Sequence, residues 1–154
     1  MGSRRVASLV VSTRFVIIGG GPAGNTAATY AARLGAQVTL IERDVIGGAA
    51  HLWDCIPSKT MIATGGAMSF TRRIQGMGLE HQDAEVDNIA LQDRIEDIQG
   101  RLQSNTIRLL ESQGVRMIMG SARFIGPNLI EVATANGAEQ IEADAVLVAS
   151  GSRP

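Results

Sequence analysis

Two short apolar runs flank an alanine-rich stretch near the start of the chain. Residues 15–18 and 37–42 are rich in β-branched side chains, and each run predicts a buried strand. Residues 22–34 between them favour a helix, which Gly35 would end. Strand, helix and strand in this order predict a βαβ unit with parallel strands and a right-handed crossover.

Two longer helices and a set of short strands are predicted further along the chain. Residues 56–73 favour a helix with Pro57 in its first turn, and Asp87 is the expected N-cap of a helix that reaches about Gln113 and ends at Gly114. One face of this last helix is apolar, which predicts a packed stripe below a charged surface. The stripe consists of Leu91, Ile95, Ile98, Leu102 and Leu109. Short strands are predicted over residues 115–119, 122–125, 129–133, 140–142 and 145–149.

Composition and charge exclude several classes of protein. The chain has 154 residues, which is enough for one domain, and its formal net charge is −1. This balance argues against nucleic-acid binding and against a polybasic membrane patch. A single cysteine excludes an intrachain disulfide, and no apolar stretch is long enough for a membrane span. We expect one globular α/β domain.

Residues 1–13 are interpreted as an N-terminal extension, and residues 14–154 as the folded part. Arg4 and Arg5 precede an apolar run, as in twin-arginine export signals, but the run is short and no small-residue cleavage site follows. We therefore expect a cytoplasmic location.

The glycine-rich loop after the first strand is the first candidate for chemistry. It fits the pattern G-x-G-x-x-G, which binds dinucleotides when a strand precedes it and a helix follows. In that role Gly19 makes the tight turn, Gly21 lets the backbone approach a pyrophosphate, and Gly24 lets helix and strand pack closely. The helix that starts with Pro22 and Ala23 would present free N–H groups and its positive dipole end to the phosphates.

Glu42 closes the second predicted strand, and Arg43, a further candidate cofactor contact, follows it. An acidic residue at this point can accept hydrogen bonds from both ribose hydroxyls of an adenosine, and it disfavours a 2′-phosphate. The fingerprint predicts an adenine dinucleotide and leaves FAD and NAD both open at this stage.

The segment around the only cysteine, read together with the loop, resembles the pyridine nucleotide–disulfide oxidoreductases. The segment is Gly47-Gly48-Ala49-Ala50-His51-Leu52-Trp53-Asp54-Cys55-Ile56-Pro57-Ser58-Lys59, where that family carries G-G-T-C-x4-C-x-P-S-K. The resemblance implies a Rossmann-like FAD-binding domain: a parallel sheet with a small β-meander. It implies further cofactor contacts at Gly48, Ala49, Lys59, Ala122, Ser150 and Gly151.

The chain departs from the family pattern at the first redox cysteine, where it has Ala50. Thiol–disulfide exchange needs two sulfurs, so the internal dithiol relay cannot exist. Cys55 would lie near the start of a helix, whose dipole favours a thiolate, although Asp54 opposes one. The resemblance implies that Cys55 lies against the flavin and that Lys59 lies near flavin N5. The thiol could act in charge transfer, form a sulfenic acid, or only pack.

The resemblance implies an FAD-dependent NAD(P)H oxidoreductase that passes electrons to a quinone or a similar small acceptor. The chain is similar here to mycobacterial NAD(P)H:quinone reductases, which also lack the first cysteine. The sequence stops where the family inserts its NAD(P)H-binding domain, so we expect an N-terminal segment of a homodimeric enzyme, inactive alone. A non-catalytic FAD- or ADP-binding piece and a relative of lipoamide dehydrogenase or soluble transhydrogenase are the alternatives. We expect no metal, because neither His51 nor His81 completes a ligand set.

Overall fold

The computed structural model describes residues 12–74, 77–79 and 84–152. The bounds of its elements are β1 (Arg14–Ile18), α1 (Pro22–Arg33), β2 (Gln37–Glu42), a π-helical turn (Ala50–Cys55), α2 (Ile56–Arg73), α3 (Asn88–Ser112), β3 (Arg116–Met119), β4 (Ser121–Gly126), β5 (Leu129–Thr134), β6 (Gly137–Glu142) and β7 (Ala145–Val148). The first eleven residues of the predicted N-terminal extension lie outside the described ranges, as does His81.

The larger sheet confirms the predicted parallel βαβ unit. Its strand order is β3-β2-β1-β7, and every neighbouring pair is parallel. Ile17 in β1 stands opposite Leu40 in β2 on one side and Leu147 in β7 on the other. Because β1 and β2 are buried from both directions, their sequences are continuous apolar runs.

The smaller sheet is the predicted β-meander. Strands β4, β5 and β6 are antiparallel in chain order, joined by tight turns. Ile130 and Val132 point from β5 into a buried cluster with Val16, Ile41 and Ile118 of the parallel sheet. This cluster packs the meander against the parallel sheet.

Helices α1 and α3 pack around a second buried cluster on the parallel sheet. Leu110 of α3 joins Ile17, Ala28 and Leu40 there, and all four side chains are almost fully buried. The predicted apolar stripe of α3 is therefore wrong at its carboxyl end. Leu109 is half-exposed, and Leu110 takes the buried position, because the helix turns that face toward α1 and the sheet.

Helix α2 spans residues 56–73 as predicted, but helical backbone already precedes it. A π-helical turn from Ala50 to Cys55 precedes α2 and runs into it with helical backbone at Cys55. The amino end of this helical segment lies at Ala49, and the Leu52 N–H already donates to the Gly48 carbonyl. The prediction that Cys55 lies near the start of a helix is therefore wrong, because helical backbone from Ala49 onward precedes it.

Helix α3 begins and ends where the sequence predicted. Asp87 is its N-cap, and the Asp87 Oδ1 accepts from the backbone N–H groups of Ile89 and Ala90, each at 3.0 Å. Gly114 follows the helix with φ of +73°, a conformation that favours glycine. Among the described residues, no helix has the length and apolar character to cross a membrane.

An ion-pair cluster joins the starts of β1 and β7 and predicts an acid-sensitive stability. The Arg14 guanidinium donates to Asp144 and Glu142 at 2.7 and 2.6 Å, and the Arg14 backbone N–H also donates to Asp144. These hydrogen bonds lower the pKa of the Asp144 carboxyl from 3.8 to about 2. A lowered pKa in the folded state gives stability above the unfolded pKa, and this stability is lost as the pH falls through the folded one.

We expect Asp144→Asn to be less stable than the parent chain near neutral pH, with the difference closing between pH 3.8 and about 2. Thermal melts across this pH range measure the difference. Asp97→Asn is the control, since Asp97 pairs with Arg101 only across one turn of α3 and should show a small difference. A difference for Asp144→Asn that stays constant down to pH 2 would contradict the prediction.

Candidate cofactor-binding site

A cavity of about 530 Å³ opens at the carboxyl ends of β1, β2 and β7. Strand β2 lies on one side of β1 and β7 on the other, so this is the point where the strand order reverses. Open α/β sheets bind ligands at such points. Of the predicted cofactor contacts, the lining includes Gly19, Gly21, Pro22, Ala23, Glu42, Arg43, Gly48, Ala49, Ala122, Ser150 and Gly151.

At Gly19 and Gly48 the backbone is packed so closely that a side chain has no room. Gly19 has φ of +113°, and a Cβ there would overlap the Ala149 carbonyl. Gly48 has φ of +88°, and a Cβ there would lie 2.7 Å from the Cα of Gly21. The Gly47 N–H donates to the Gly20 carbonyl at 2.8 Å, which ties the two glycine-rich segments together. The cavity is thus walled by backbone from two separate motifs.

The amino end of α1 points N–H groups at this cavity without a side-chain cap. Its N-cap residue is Gly21, and within the described structure no side chain caps its N–H groups and its first turn holds no acidic residue. Pro22 at the first helical position lacks an N–H, and Ala23 follows at the cavity wall. Uncapped N–H groups at a helix amino end bind phosphate well.

Glu42 has a second role that the sequence did not suggest. One carboxylate oxygen accepts from the Gly20 N–H at 2.6 Å, and the other accepts from the Asp44 N–H at 2.8 Å. The Glu42 side chain therefore fixes the glycine loop to the segment after β2. Each oxygen has a further lone pair, so the carboxylate can also accept from hydroxyl groups in the cavity.

Three predicted residues lie outside the cavity lining as described. Gly24 is buried in α1 against the Gly19 carbonyl, which is the packing role expected of it and excludes direct contact. Cys55 and Lys59 lie further along the helical segment than Ala50, the last residue of that segment in the lining. A ligand that reaches Cys55 and Lys59 must extend beyond this cavity.

Several lining residues were not among the predicted cofactor contacts. Asp44, Ala50, Gly120, Ser121 and Ser152 all contribute to the wall. Each of them follows a strand or neighbours a predicted cofactor contact. Their position at the end of a strand was therefore the signal that could have identified them as lining residues. In the described part of the chain, no three His, Cys, Asp or Glu side chains are grouped so as to hold a metal ion.

The sequence of this chain is similar to a known protein family and to proteins of other organisms. The profile of the pyridine nucleotide-disulphide oxidoreductases matches residues 13–154. A dihydrolipoyl dehydrogenase of Halobacterium salinarum is 34% identical over 152 residues, covering 97% of this chain and 32% of the relative. An NAD(P)H dehydrogenase (quinone) of Mycobacterium tuberculosis is 40% identical, covering 92% of this chain and 31% of the relative.

A solved structure agrees with the sequence comparison. LpdA of Mycobacterium tuberculosis superposes with a TM-score of 0.82 at 36% identity, covering 92% of this chain and 32% of LpdA. The chain thus spans about a third of the length of the curated relatives it matches.

Proposed function

The chain belongs to the pyridine nucleotide-disulphide oxidoreductase family, and we propose from this that it is the N-terminal FAD-binding segment of a flavin-dependent NAD(P)H oxidoreductase. We propose that the enzyme works without a redox disulfide and reduces a quinone or a similar small acceptor. The observation that carries this proposal is Ala50 at the family's first cysteine position, in a chain whose single cysteine is Cys55.

The described residues fit the adenosine diphosphate half of FAD. Gly21 and Gly48 both line the cavity and lack side chains, so a pyrophosphate would approach their backbone closely. The uncapped amino end of α1 would offset the phosphate charge, and Glu42 would accept from the ribose hydroxyls. Arg43, Ala122, Ser150 and Gly151 would enclose the adenosine end.

Ala50 decides which chemistry is available. Its side chain belongs to the cavity wall and cannot form a disulfide with Cys55. Bound FAD would supply two-electron transfer, and substrates that need an internal dithiol would not be served. An acceptor that takes electrons directly fits this arrangement. The relative from Mycobacterium tuberculosis whose name includes quinone supports that class of acceptor.

Lys59 and Cys55 are the proposed residues of the reaction site. Lys59 is exposed in the first turns of α2, so its positive charge is available to favour the addition of electrons nearby. The Cys55 thiol is half-buried, and its part, whether charge transfer, oxidation or packing, stays open. Both residues lie outside the lining of the cavity proposed to bind the adenosine diphosphate half of FAD.

The wider organisation is part of the same proposal. NAD(P)H would bind to a part of the whole protein outside this chain, and the whole protein would be a cytoplasmic homodimer. Residues 14–154 would form the N-terminal portion of the FAD-binding domain, after an extension over residues 1–13. The second candidate function is binding of FAD without catalysis, which the absence of Cys55 and Lys59 from the described cavity lining favours.

Turnover with two acceptors tests the proposed reaction. We expect the whole protein that contains this chain to oxidise NADH or NADPH with a soluble quinone and to give no turnover with lipoamide. A dihydrolipoyl dehydrogenase with both cysteines serves as the positive control for the lipoamide assay. Sustained lipoamide reduction would refute the proposed consequence of Ala50, and flavin binding without turnover on either acceptor would favour the second candidate.

A further inference from the structure

The π-helical turn before α2 leaves one particular carbonyl without a helical partner. In this turn the Ile56 N–H donates to the His51 carbonyl, five residues back. The next N–H in the same pattern would bond to the Leu52 carbonyl, but the next residue is Pro57, which has no N–H. Leu52 is almost fully buried, so an unpaired carbonyl there would be costly.

Gln99 supplies the missing donor from another helix. Its side-chain Nε2 donates to the Leu52 carbonyl oxygen at 2.6 Å, across a separation of 47 residues in the chain. Gln99 lies in the middle of α3, and its side chain is partly buried. This bond joins α3 to the helical segment that carries Ala50 and Cys55.

The same bond discriminates between two hydrogen-bond registers of the turn. In an ordinary α register, the Ile56 N–H would donate to the Leu52 carbonyl, and Pro57 would leave the Trp53 carbonyl without its helical donor. Trp53 is 52% exposed, so water can reach that residue. Without Gln99 the α register would therefore be favoured, because it moves the proline defect from a buried residue to an exposed one.

We infer that Gln99 is a positioning residue that holds the Ala50–Cys55 turn in its π register. The register fixes how Ala50 at the cavity wall is oriented relative to Cys55 and Lys59 further along the helix. π-helical turns are rare, and those within α-helices frequently lie at functional sites. The register part of this inference stands on the geometry, whereas its effect on flavin chemistry rests on the proposed function.

Labelling of Cys55 tests the register. Cys55 is the last residue of the π-helical turn and is half-buried, so a change of register alters the access of a reagent to its thiol. We expect Gln99→Met, which removes the donor and keeps the length, to raise the rate at which 5,5′-dithiobis(2-nitrobenzoate) modifies Cys55 by about fivefold. Gln92→Met is the matched control on the same helix, because within the described ranges the Gln92 amide donates to Glu96 of the same helix and to no other element. Its labelling rate should stay within about twofold of the parent chain. Thermal melts of each variant separate a local change from global unfolding.

A double-mutant cycle with Pro57 makes the test specific. Pro57→Ala restores an N–H that can bond to the Leu52 carbonyl, so in this background Gln99→Met should change the labelling rate by less than about twofold. An equal effect of Gln99→Met in both backgrounds would overturn the inference. So would an increase in labelling that the loss of global stability fully explains.

A second experiment, the visible spectrum of bound flavin, tests the part of the inference that rests on the proposed function. If the chain binds FAD, Gln99→Met should shift the visible spectrum of the bound flavin, and the control variant should not. An unchanged spectrum with changed labelling would confine Gln99 to the register and overturn its link to the cofactor. If the whole protein that contains this chain binds no FAD, the proposed function fails, and the labelling cycle still decides the register.

Discussion

Gly24→Ala is expected to lower the stability of the chain by about 3 kcal/mol or more and to abolish cofactor binding. A methyl group at this position would overlap the Gly19 carbonyl oxygen, and it would lie 3.1 Å from the Gly19 carbonyl carbon and 3.3 Å from the Cγ2 of Ile17. The atoms in the way are mostly backbone, so no rotation of a side chain relieves the clash. Helix α1 would have to move away from β1, which takes the glycine loop with it.

A thermal melt of Gly24→Ala followed by circular dichroism measures this loss, and we expect a decrease in Tm of about 6–12 °C. Gly100→Ala is the matched control, since the structure describes no atom within 4 Å of a Cβ placed at Gly100. In the middle of α3 that exchange should raise stability by about 0.5–1 kcal/mol. Equal melting temperatures for Gly24→Ala and the parent would show that α1 and the loop can shift without cost.

Glu42→Gln is expected to weaken binding of FAD and ADP by about 100-fold. Both carboxylate oxygens accept from backbone N–H groups, one of Gly20 and one of Asp44. A glutamine of the same shape must turn its NH₂ group toward one of these donors, so one bond becomes a repulsion between donors. The variant therefore loses both the charge facing the ribose and the fixed position of the glycine loop.

Fluorescence titration with FAD and with ADP measures the affinity of Glu42→Gln. Glu96→Gln is the control, because Glu96 is exposed on α3 and accepts only from the side chain of Gln92. Hydrogen exchange at the Gly20 and Asp44 amides reports the backbone role independently of any ligand. Unchanged exchange at both amides, together with unchanged affinity, would exclude both roles of Glu42.

The sequence was sufficient for the elements that depend on local pattern. The apolar runs of β1 and β2, the N-cap at Asp87 and the glycine at the end of α3 are local signals, and the structure confirms each of them. Strands β4 and β6 are longer than predicted, because pairing in the meander recruits polar residues that carry no strand signal of their own.

The features that sequence reasoning missed depend on contacts between distant residues. Helix α2 begins at Ile56 as predicted, but the sequence did not predict the π-helical turn before it, in which the Leu52 carbonyl accepts from Gln99, 47 residues away. Long-range hydrogen bonds determine the register of that turn and the structural role of Glu42. Packing against α1 and the sheet determines that Leu110, and not Leu109, is buried. No local pattern of residues encodes such contacts.

The central strand of the parallel sheet acquires its two neighbours at very different times during synthesis. β2 follows β1 closely, whereas Arg14 at the start of β1 meets Asp144 across 130 residues of chain. At usual translation speeds the ribosome needs roughly 10 s to make that much chain. Throughout this interval one edge of a nascent β1 presents unpaired N–H and C=O groups. Such an edge is a place where a strand of another chain can pair during synthesis.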